Sequence, residues 1–382
     1  MKMNIRHDRI EHAQELMKNQ GMIGLMIMNH DDYRFFFGEV RVQPRAIIPA
    51  FGDPVFIGFA GEEAELKDAN ENKPIRSFTH VGEQIFNVRQ VFKSIFGGPP
   101  PGMQVPPSGR PKVGMQMWFH TPAFLVDLFR KVNPQMDLVP SDPVMDELRM
   151  VKEPEELDCM RKAQSIAALG MDQAREMLRP GVTGHDIATE ALYTMMKAGA
   201  EGTSTPIFIN SGLQSCWVHG RVDRKPVESG DLVVIDLTPQ FQGYCANLTR
   251  TFVVGGPQPW QAKLLSTYRE MHEATRSALR PGATVAELDK IGKAICESAD
   301  LADHHINGIS HGIGLRFEET PASTIIPPHR SVKLRDGMTM TVGHTILAIP
   351  GHGGVRFEDV YQVTANGGDV LHAYPFEWEI PF

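Results

Sequence analysis

Three short segments in the second half of the chain carry side chains that could perform acid–base or metal chemistry. Residues 232–235 are apolar and are followed by Asp236, so a buried strand would deliver a carboxylate at its end. A buried carboxylate needs a metal, a base or a cap as its partner. His311 lies in a glycine-rich stretch, and glycine allows a backbone to pass close to a site. Glu358 follows Arg356 by two positions in a third segment.

Each segment also has a simpler structural interpretation. We expect Asn247 on the return strand to face Asp236 across a hairpin, and in the simpler interpretation Asp236 turns into a loop while Asn247 satisfies backbone groups. His311 could be a buried, hydrogen-bonded histidine. Strand alternation places Arg356 and Glu358 on one face, where they could form a structural ion pair or a ligand with its orienting partner.

Composition favours a soluble globular protein of two domains. The chain has 382 residues, which is more than one domain with a single hydrophobic core usually contains. It is 42% hydrophobic and 22% charged, as is usual for soluble globular proteins. The formal net charge of −8 gives no basic footprint for nucleic acid. We therefore expect no nucleic-acid partner.

Cysteine spacing and the amino-terminal segment indicate a cytoplasmic protein. The chain forms no Cys-x-x-Cys pair, which argues against zinc ribbons and redox motifs and favours reduced thiols. The first residues are polar, and the apolar run 22–28 is too short to span a bilayer. We expect no membrane association. The cysteines are Cys159, Cys216, Cys245 and Cys296.

The first part of the chain alternates helical and strand patterns, which is typical of an α/β domain. Residues 7–19 show helical spacing and lead into an apolar strand at 23–28. Further strands are expected at 46–49, 54–60 and 112–117, and the Pro- and Gly-rich segment 97–111 is expected to be an exposed loop. A boundary near residues 148–152 divides the chain into domains 1–147 and 148–382.

The second domain contains a repeated pattern. A helix at 153–178 ends at an Arg-Pro-Gly stop, and a second helix opens near Thr183. Strands follow at 231–238 and around 253, and a helix at 260–279 with a second Arg-Pro-Gly stop precedes another at 285–300. The two stops lie about 100 residues apart, which favours an internally duplicated α/β unit. Two ordinary helix ends are the alternative.

Taken together with Ser211-Gly, His219-Gly and the helix start near 148–152, these motifs resemble the creatinase/prolidase/methionine-aminopeptidase superfamily. The resemblance covers residues 148–382 and extends more weakly to 33–38. It implies a pita-bread carboxy-terminal domain with internal pseudo-duplication, preceded by a smaller creatinase-type α/β domain. It also implies a homodimer.

The resemblance assigns only part of the family's dinuclear metal site. Its metal-dependent members use five ligands, and three of these fall on Asp236, His311 and Glu358. The other two fall on Asn247 and Gly343, which cannot supply carboxylates. We therefore expect either no metal or a single weakly bound divalent metal. His344, beside Gly343, could compensate, although a strand neighbour normally points the other way.

The upstream active-site histidine of the family is retained as His219, whereas its second histidine falls on Glu318. Creatinase, which cleaves a C–N bond without metal, suggests a hydrolase of a small polar substrate. His219 would then be the proton shuttle or general base, with its pKa raised by nearby carboxylates. His311 and Glu358 would orient substrate or water, and Asp236 would set their charge state.

Four further residues are expected to bind substrate. Glu318 and Glu319 would lie at the pocket rim and meet a cationic end of the substrate, with Tyr244 and Arg356 behind them. Three other functions remain open on this scaffold. They are an Xaa-Pro peptidase that acts on a short peptide with one divalent metal, a non-catalytic binding protein, and a lyase.

Overall fold

The computed structural model describes residues 4–38, 41, 43–95, 109–117 and 121–381. The chain divides into two compact units, Met1–Arg149 and Met150–Phe382. The boundary expected from the sequence lies two residues earlier. Most of the loop expected at 97–111 lies outside the described residues.

The first unit is an α/β domain built on a six-stranded sheet with strand order β4-β3-β2-β1-β5-β6. Central strand β1 runs antiparallel to β2 and parallel to β5, and every residue of β1 is buried. The predicted helix and strand at the start of the chain are confirmed. The elements are α1 (His7–Gln20), β1 (Met22–Ile27), α2 (His30–Phe37), β2 (Ala46–Pro49), β3 (Val55–Phe59), α3 (Glu63–Ala69), β4 (Ile75–Phe78), α4 (Val81–Ile95), β5 (Lys112–Met115), α5 (Ala123–Val132), β6 (Asp137–Pro140) and α6 (Asp142–Arg149).

The second unit places two helix pairs on small, mostly antiparallel sheets. Its principal sheets have the orders β18-β12-β9-β8 and β13-β16-β17. The elements are α7 (Pro154–Met177), α8 (Gly184–Lys197), β7 (Gly202–Thr203), β8 (Phe208–Ser211), β9 (Leu232–Leu237), β10 (Pro239–Phe241), β11 (Tyr244–Cys245), β12 (Leu248–Val254), α9 (Pro259–Ala278), α10 (Val285–Ser298), β13 (Thr339–Val342), β14 (Leu347–Ile349), β15 (Gly353–Val355), β16 (Asp359–Thr364), β17 (Gly367–Val370) and β18 (Glu379–Ile380).

The repeat predicted from the two Arg-Pro-Gly stops is present in the helix pairs α7/α8 and α9/α10. Gly181 and Gly282 end the stops with φ of +91° and +89°, a conformation that glycine adopts without strain. Thr183 and Thr284 then cap α8 and α10 through their hydroxyls, each in a reciprocal capping box. Each pair covers its own hydrophobic core, the first against β8, β9 and β12 and the second against β13 and β16.

Strands β9 and β12 form the buried hairpin that carries Asp236. The expected pairing of Asp236 with Asn247 is wrong, because the register pairs Asp236 with Thr249 and Leu237 with Leu248. Asn247 therefore lies just before β12 rather than opposite Asp236. Sequence spacing indicated the hairpin but not its register, which depends on the short strands β10 and β11 inserted in the connection.

The two halves of the second unit are joined next to the predicted site residues. Thr249 and Glu358 exchange both backbone hydrogen bonds, at 3.0 and 3.1 Å. The carbonyl of His311 accepts from the Thr341 N–H at 2.8 Å. The first pair of bonds joins β12 to the residue before β16, and the third joins His311 to β13. None of the helices in the described part of the chain is long and apolar enough to cross a membrane.

Candidate active site

His311 presents one ring nitrogen to the interior of the second unit. Its Nδ1–H donates to the Gly312 carbonyl at 2.9 Å, which leaves Nε2 with the lone pair. The residue is fully buried, and Nε2 has no hydrogen-bond partner among the residues described. Burial lowers the pKa of His311, so the neutral ring is favoured. Glu358 Oε1 lies 3.7 Å from Nε2.

His344 lies beside His311 and between two carboxylates. Its Nδ1 is 3.2 Å from Glu358 Oε1, and its Nε2 is 3.9 Å from Glu318 Oε1. The rings of His344 and His311 are perpendicular, with centroids 4.7 Å apart. Burial would lower the pKa of His344, but the charges of Glu358 and Glu318 outweigh it and raise that pKa.

The expectation that His344 points away from the site is wrong. Strand alternation ends at Val342, because β13 stops there and Gly343 adopts a φ of +102°. This left-handed conformation turns the chain, so His344 does not follow the strand pattern. The glycine directly after the alternating residues 338–342 was the available signal in the sequence.

Glu358 is the carboxylate shared by the two histidines. It is fully buried, and its Oε2 has no hydrogen-bond partner within the described residues. Burial alone would raise the pKa of Glu358, but His344 and Arg356 together lower it to about 2. Glu358 is therefore ionised at neutral pH.

Asp236 is held by Arg356 rather than by the histidines. The Arg356 Nη2 donates to Asp236 Oδ2, and its Nη1 donates to the Val218 carbonyl at 3.1 Å. Both side chains of the ion pair are 3% exposed. Burial raises the pKa of Asp236 to about 6, even though the guanidinium opposes that shift. Of the two ion pairs open to Arg356, the structure forms the one with Asp236.

His219 is an exposed residue in the connection between β8 and β9. Partial burial and the charges of His344 and Arg356 lower the pKa of His219, while Glu318 acts in the opposite direction. His219 therefore lies within electrostatic reach of His344, Arg356 and Glu318. The expected increase of its pKa by carboxylates is wrong, because the cationic neighbours and the loss of solvent outweigh Glu318.

The two glutamates expected at the rim have different environments. Glu318 keeps 13% of its side chain exposed and accepts a hydrogen bond from the Thr324 hydroxyl. Glu319 is buried, with its Oε1 2.5 Å from Lys152 Nζ. The placement of Glu319 at an open rim is therefore wrong, because an unpaired lysine would not remain buried at that position.

Tyr244 and Asn247 are both buried near this hairpin. The Tyr244 hydroxyl donates to Glu156 Oε1 at 2.7 Å, which directs the phenol toward the start of α7.

Asn247 is fully buried, and neither atom of its side-chain amide has a partner in the part of the chain that the structure describes. A buried amide in this state is suited to binding a water molecule or an ion.

His311, His344 and Glu358 form a cluster suited to a metal ion. One ligand atom from each lies within 4.8 Å of the others. The unpartnered His311 Nε2 and Glu358 Oε2 fit a bound cation, which would satisfy both atoms. Two imidazoles and a carboxylate suit borderline divalent ions such as Zn²⁺, Mn²⁺ or Co²⁺. Two residues of the predicted set are retained, and His344 joins them in place of Asp236.

The sequence profile of metallopeptidase family M24 matches residues 158–365, which hold every member of this cluster. The chain belongs to metallopeptidase family M24. It is 34% identical over 247 residues to an Xaa-Pro dipeptidase of Pyrococcus furiosus, covering 65% of this chain and 70% of the relative. It is 27% identical over 369 residues to an Xaa-Pro dipeptidase of Pyrococcus horikoshii, covering 97% and 98%.

Solved structures confirm the pita-bread fold of this M24 protein. The prolidase of Pyrococcus horikoshii OT3 superposes with a TM-score of 0.83 at 25% identity, covering 97% of this chain and 99% of that one. An aminopeptidase P of Escherichia coli superposes with a TM-score of 0.76 at 20% identity, covering 97% and 95%. The predicted superfamily and fold class are confirmed.

The activities of these relatives can also be compared with the reaction predicted from the sequence. Together they show that this M24 protein is a hydrolase of the peptidase type, as expected. They support the peptidase that the sequence left open better than the metal-free hydrolase of a small polar substrate, the first expectation. The M24 metallopeptidases also use divalent metals, which agrees with the chemistry of the buried cluster.

Proposed function

We propose that this protein is a metal-dependent peptidase that cleaves short peptides of the Xaa-Pro dipeptide type. The observation that carries the proposal is the buried cluster of His311, His344 and Glu358, with exposed His219 within electrostatic reach of His344. The M24 profile and the Xaa-Pro dipeptidase relatives support it.

A divalent cation held by His311, His344 and Glu358 would supply Lewis-acid chemistry to a scissile carbonyl or to water. The protein contributes the proton chemistry. His219 has a lowered pKa and is neutral at pH 7, so it can accept a proton from water or from a substrate group. Because His219 is exposed, it can contact a substrate without rearrangement of the core.

Glu318 and Arg356 have different roles around the cluster. Glu318 is partly exposed and negatively charged, so it can bind the ammonium end of a short peptide. Arg356 is committed to Asp236 and to the Val218 carbonyl, and it therefore fixes the segment that leads to His219. This arrangement favours a substrate with a free amino terminus.

Metal-free hydrolysis remains the second candidate, and one observation favours it. The His344 Nδ1 lies 3.2 Å from Glu358 Oε1, and the raised pKa of His344 favours an ion pair between the two side chains. Such a pair could orient water or substrate by itself. Chelation separates the two candidates, since only one of them depends on a bound ion.

A dipeptide panel tests the proposal. We expect purified protein with Mn²⁺, Co²⁺ or Zn²⁺ to hydrolyse Xaa-Pro dipeptides and to lose this activity after chelation. His311→Ala should be inactive under the same conditions. Creatine serves as the small C–N substrate for the second candidate. Hydrolysis of creatine that survives chelation, with no cleavage of any dipeptide, would contradict the proposal.

A further inference from the structure

We propose that the active site binds one divalent transition-metal ion per chain and that His344 is an obligatory ligand, with His311 and Glu358. The inference rests on the proposed metal-dependent function and specifies its ligands. It differs from the ligand set that the sequence suggests, in which Asp236 takes the place of His344.

The three ligands are already close to a common centre. In the tetrahedral arrangement usual for a zinc-like ion, ligand atoms bonded at about 2.0–2.2 Å lie roughly 3.3–3.6 Å apart. The candidate ligand atoms lie within 4.8 Å of one another, so the side chains must move together by about an ångström when the ion binds. All three residues belong to segments joined by backbone hydrogen bonds, which limits the reorganisation on binding.

Both histidines are oriented by neighbouring groups. His311 donates its Nδ1–H to the Gly312 carbonyl, which fixes the ring and directs Nε2 at the cluster. On either side of His344, the carbonyls of Gly343 and Thr345 lie 2.6 and 2.5 Å from the Tyr268 hydroxyl. This hydroxyl can donate to one of them at a time. The segment carrying His344 is thus held from both sides.

Position 343 cannot carry a carboxylate side chain, and His344 is the residue that follows it. A Cβ on Gly343 would lie 1.7 Å from the Phe357 carbonyl oxygen, so no side chain fits there. The left-handed Gly343 instead directs the following residue into the site. An imidazole at the next position therefore supplies the ligand that position 343 cannot.

The same geometry limits the site to one ion. A second divalent ion needs additional negative oxygens close to the first. Asn247 offers a neutral amide, and Asp236 gives one of its two oxygens to Arg356. Glu358 serves the His311–His344 position, which leaves Glu318, 3.9 Å from His344 Nε2 and bonded to the Thr324 hydroxyl, as a single further carboxylate beside the cluster.

Binding of Co²⁺ to metal-free protein tests this inference. Calorimetry gives the stoichiometry, and the visible absorption of bound Co²⁺ reports its coordination. We expect one equivalent for the wild type and for His352→Ala, an exposed histidine nearby in the chain. His344→Ala should weaken binding by at least about 100-fold. His344→Asn, with melting temperature as a check on folding, covers the case in which the alanine variant fails to fold.

Each result decides the question. Two equivalents, no binding, or equal affinity of a folded His344 variant and the wild type would overturn the inference. Binding is measured without substrate, so the proposed function can fail separately. One ion bound through His344 with no dipeptide cleavage would contradict the function alone, and cleavage with His344-independent binding would contradict the ligand set alone.

Discussion

The α-carbon of Gly343 lies so close to the Phe357 carbonyl that a β-carbon built on it would be 1.7 Å from that oxygen. Gly343 has a φ of +102°, and its N–H donates to the Ile309 carbonyl at 2.8 Å. The residue therefore combines a left-handed turn with a close backbone approach, and both require glycine. This contact connects the end of β13 with the segment that carries Glu358.

Gly343→Ala should unfold or severely destabilise the protein. The added methyl group cannot be placed without moving the Phe357 carbonyl, and we expect a loss of more than about 4 kcal/mol in the free energy of unfolding. Chemical denaturation measures this loss. Gly351→Ala is the matched control, because Gly351 has a φ of +79° but no described atom lies within 4 Å of the position that its added methyl group would occupy.

The control isolates the steric effect. A left-handed alanine by itself costs about 1–2 kcal/mol, so Gly351→Ala should lose roughly that amount. If both variants lose the same free energy, the close approach of Gly343 to Phe357 does not determine the need for glycine.

His219→Ala should reduce the hydrolysis rate by about 10²–10⁴, the usual contribution of a positioned general base. Folding should be preserved, because the residue is exposed in a loop. Steady-state kinetics and thermal unfolding, measured side by side, test both statements. An unstable variant with an unaltered rate per folded molecule would show that His219 has a structural role.

The pH dependence follows from the lowered pKa of His219. The neutral form is the base, so activity should be full above the pKa and should fall as the pH drops through it, at values below 6.5. The wild-type profile of kcat/KM should show this acidic limb. His219→Ala should lack it, and a limb retained unchanged in the variant would assign it to another group.

Glu318→Gln should change substrate preference with little effect on stability, because Glu318 is partly exposed. We expect kcat/KM for a dipeptide with a free amino terminus to fall about tenfold or more, and kcat/KM for its N-acetylated analogue to change little. Equal losses for both substrates would contradict a role of Glu318 in binding the ammonium group.

Glu319→Gln should have the opposite effects to Glu318→Gln, with a large loss of stability and no change in substrate preference. It leaves the Lys152 ammonium buried beside a neutral amide, so we expect a loss of about 3–5 kcal/mol in the free energy of unfolding. Substrate preference, measured for the folded fraction, should stay as in the wild type. A stable Glu319→Gln protein with altered preference would return Glu319 to the substrate pocket.

The helices and the repeat could be predicted because their signals are local. The Arg-Pro-Gly stops and the threonines after them define helix ends by backbone conformation and capping alone. The M24 fold followed from the order of several such motifs. Asp236, His311 and Glu358 were recognisable because each ends or flanks a strand or lies among glycines.

The partners of these residues could not be predicted in the same way. Whether Asp236 binds Arg356 or a metal depends on the sheet register and on side chains that are distant in sequence. Glu319 resembles its neighbour Glu318 in the sequence, and its contact with Lys152 involves a residue far away in the chain. His344 was misplaced because one left-handed residue cancels the alternation on which strand interpretations depend.

The most direct test of the account is a titration of metal-free protein in which bound metal and dipeptide hydrolysis are measured in the same samples. Activity should be absent without metal, rise in proportion to bound ion and reach its maximum at one equivalent per chain, because we propose a single site formed by His311, His344 and Glu358. Full activity in the metal-free protein, or activity that appears only as a second equivalent binds, would contradict the account.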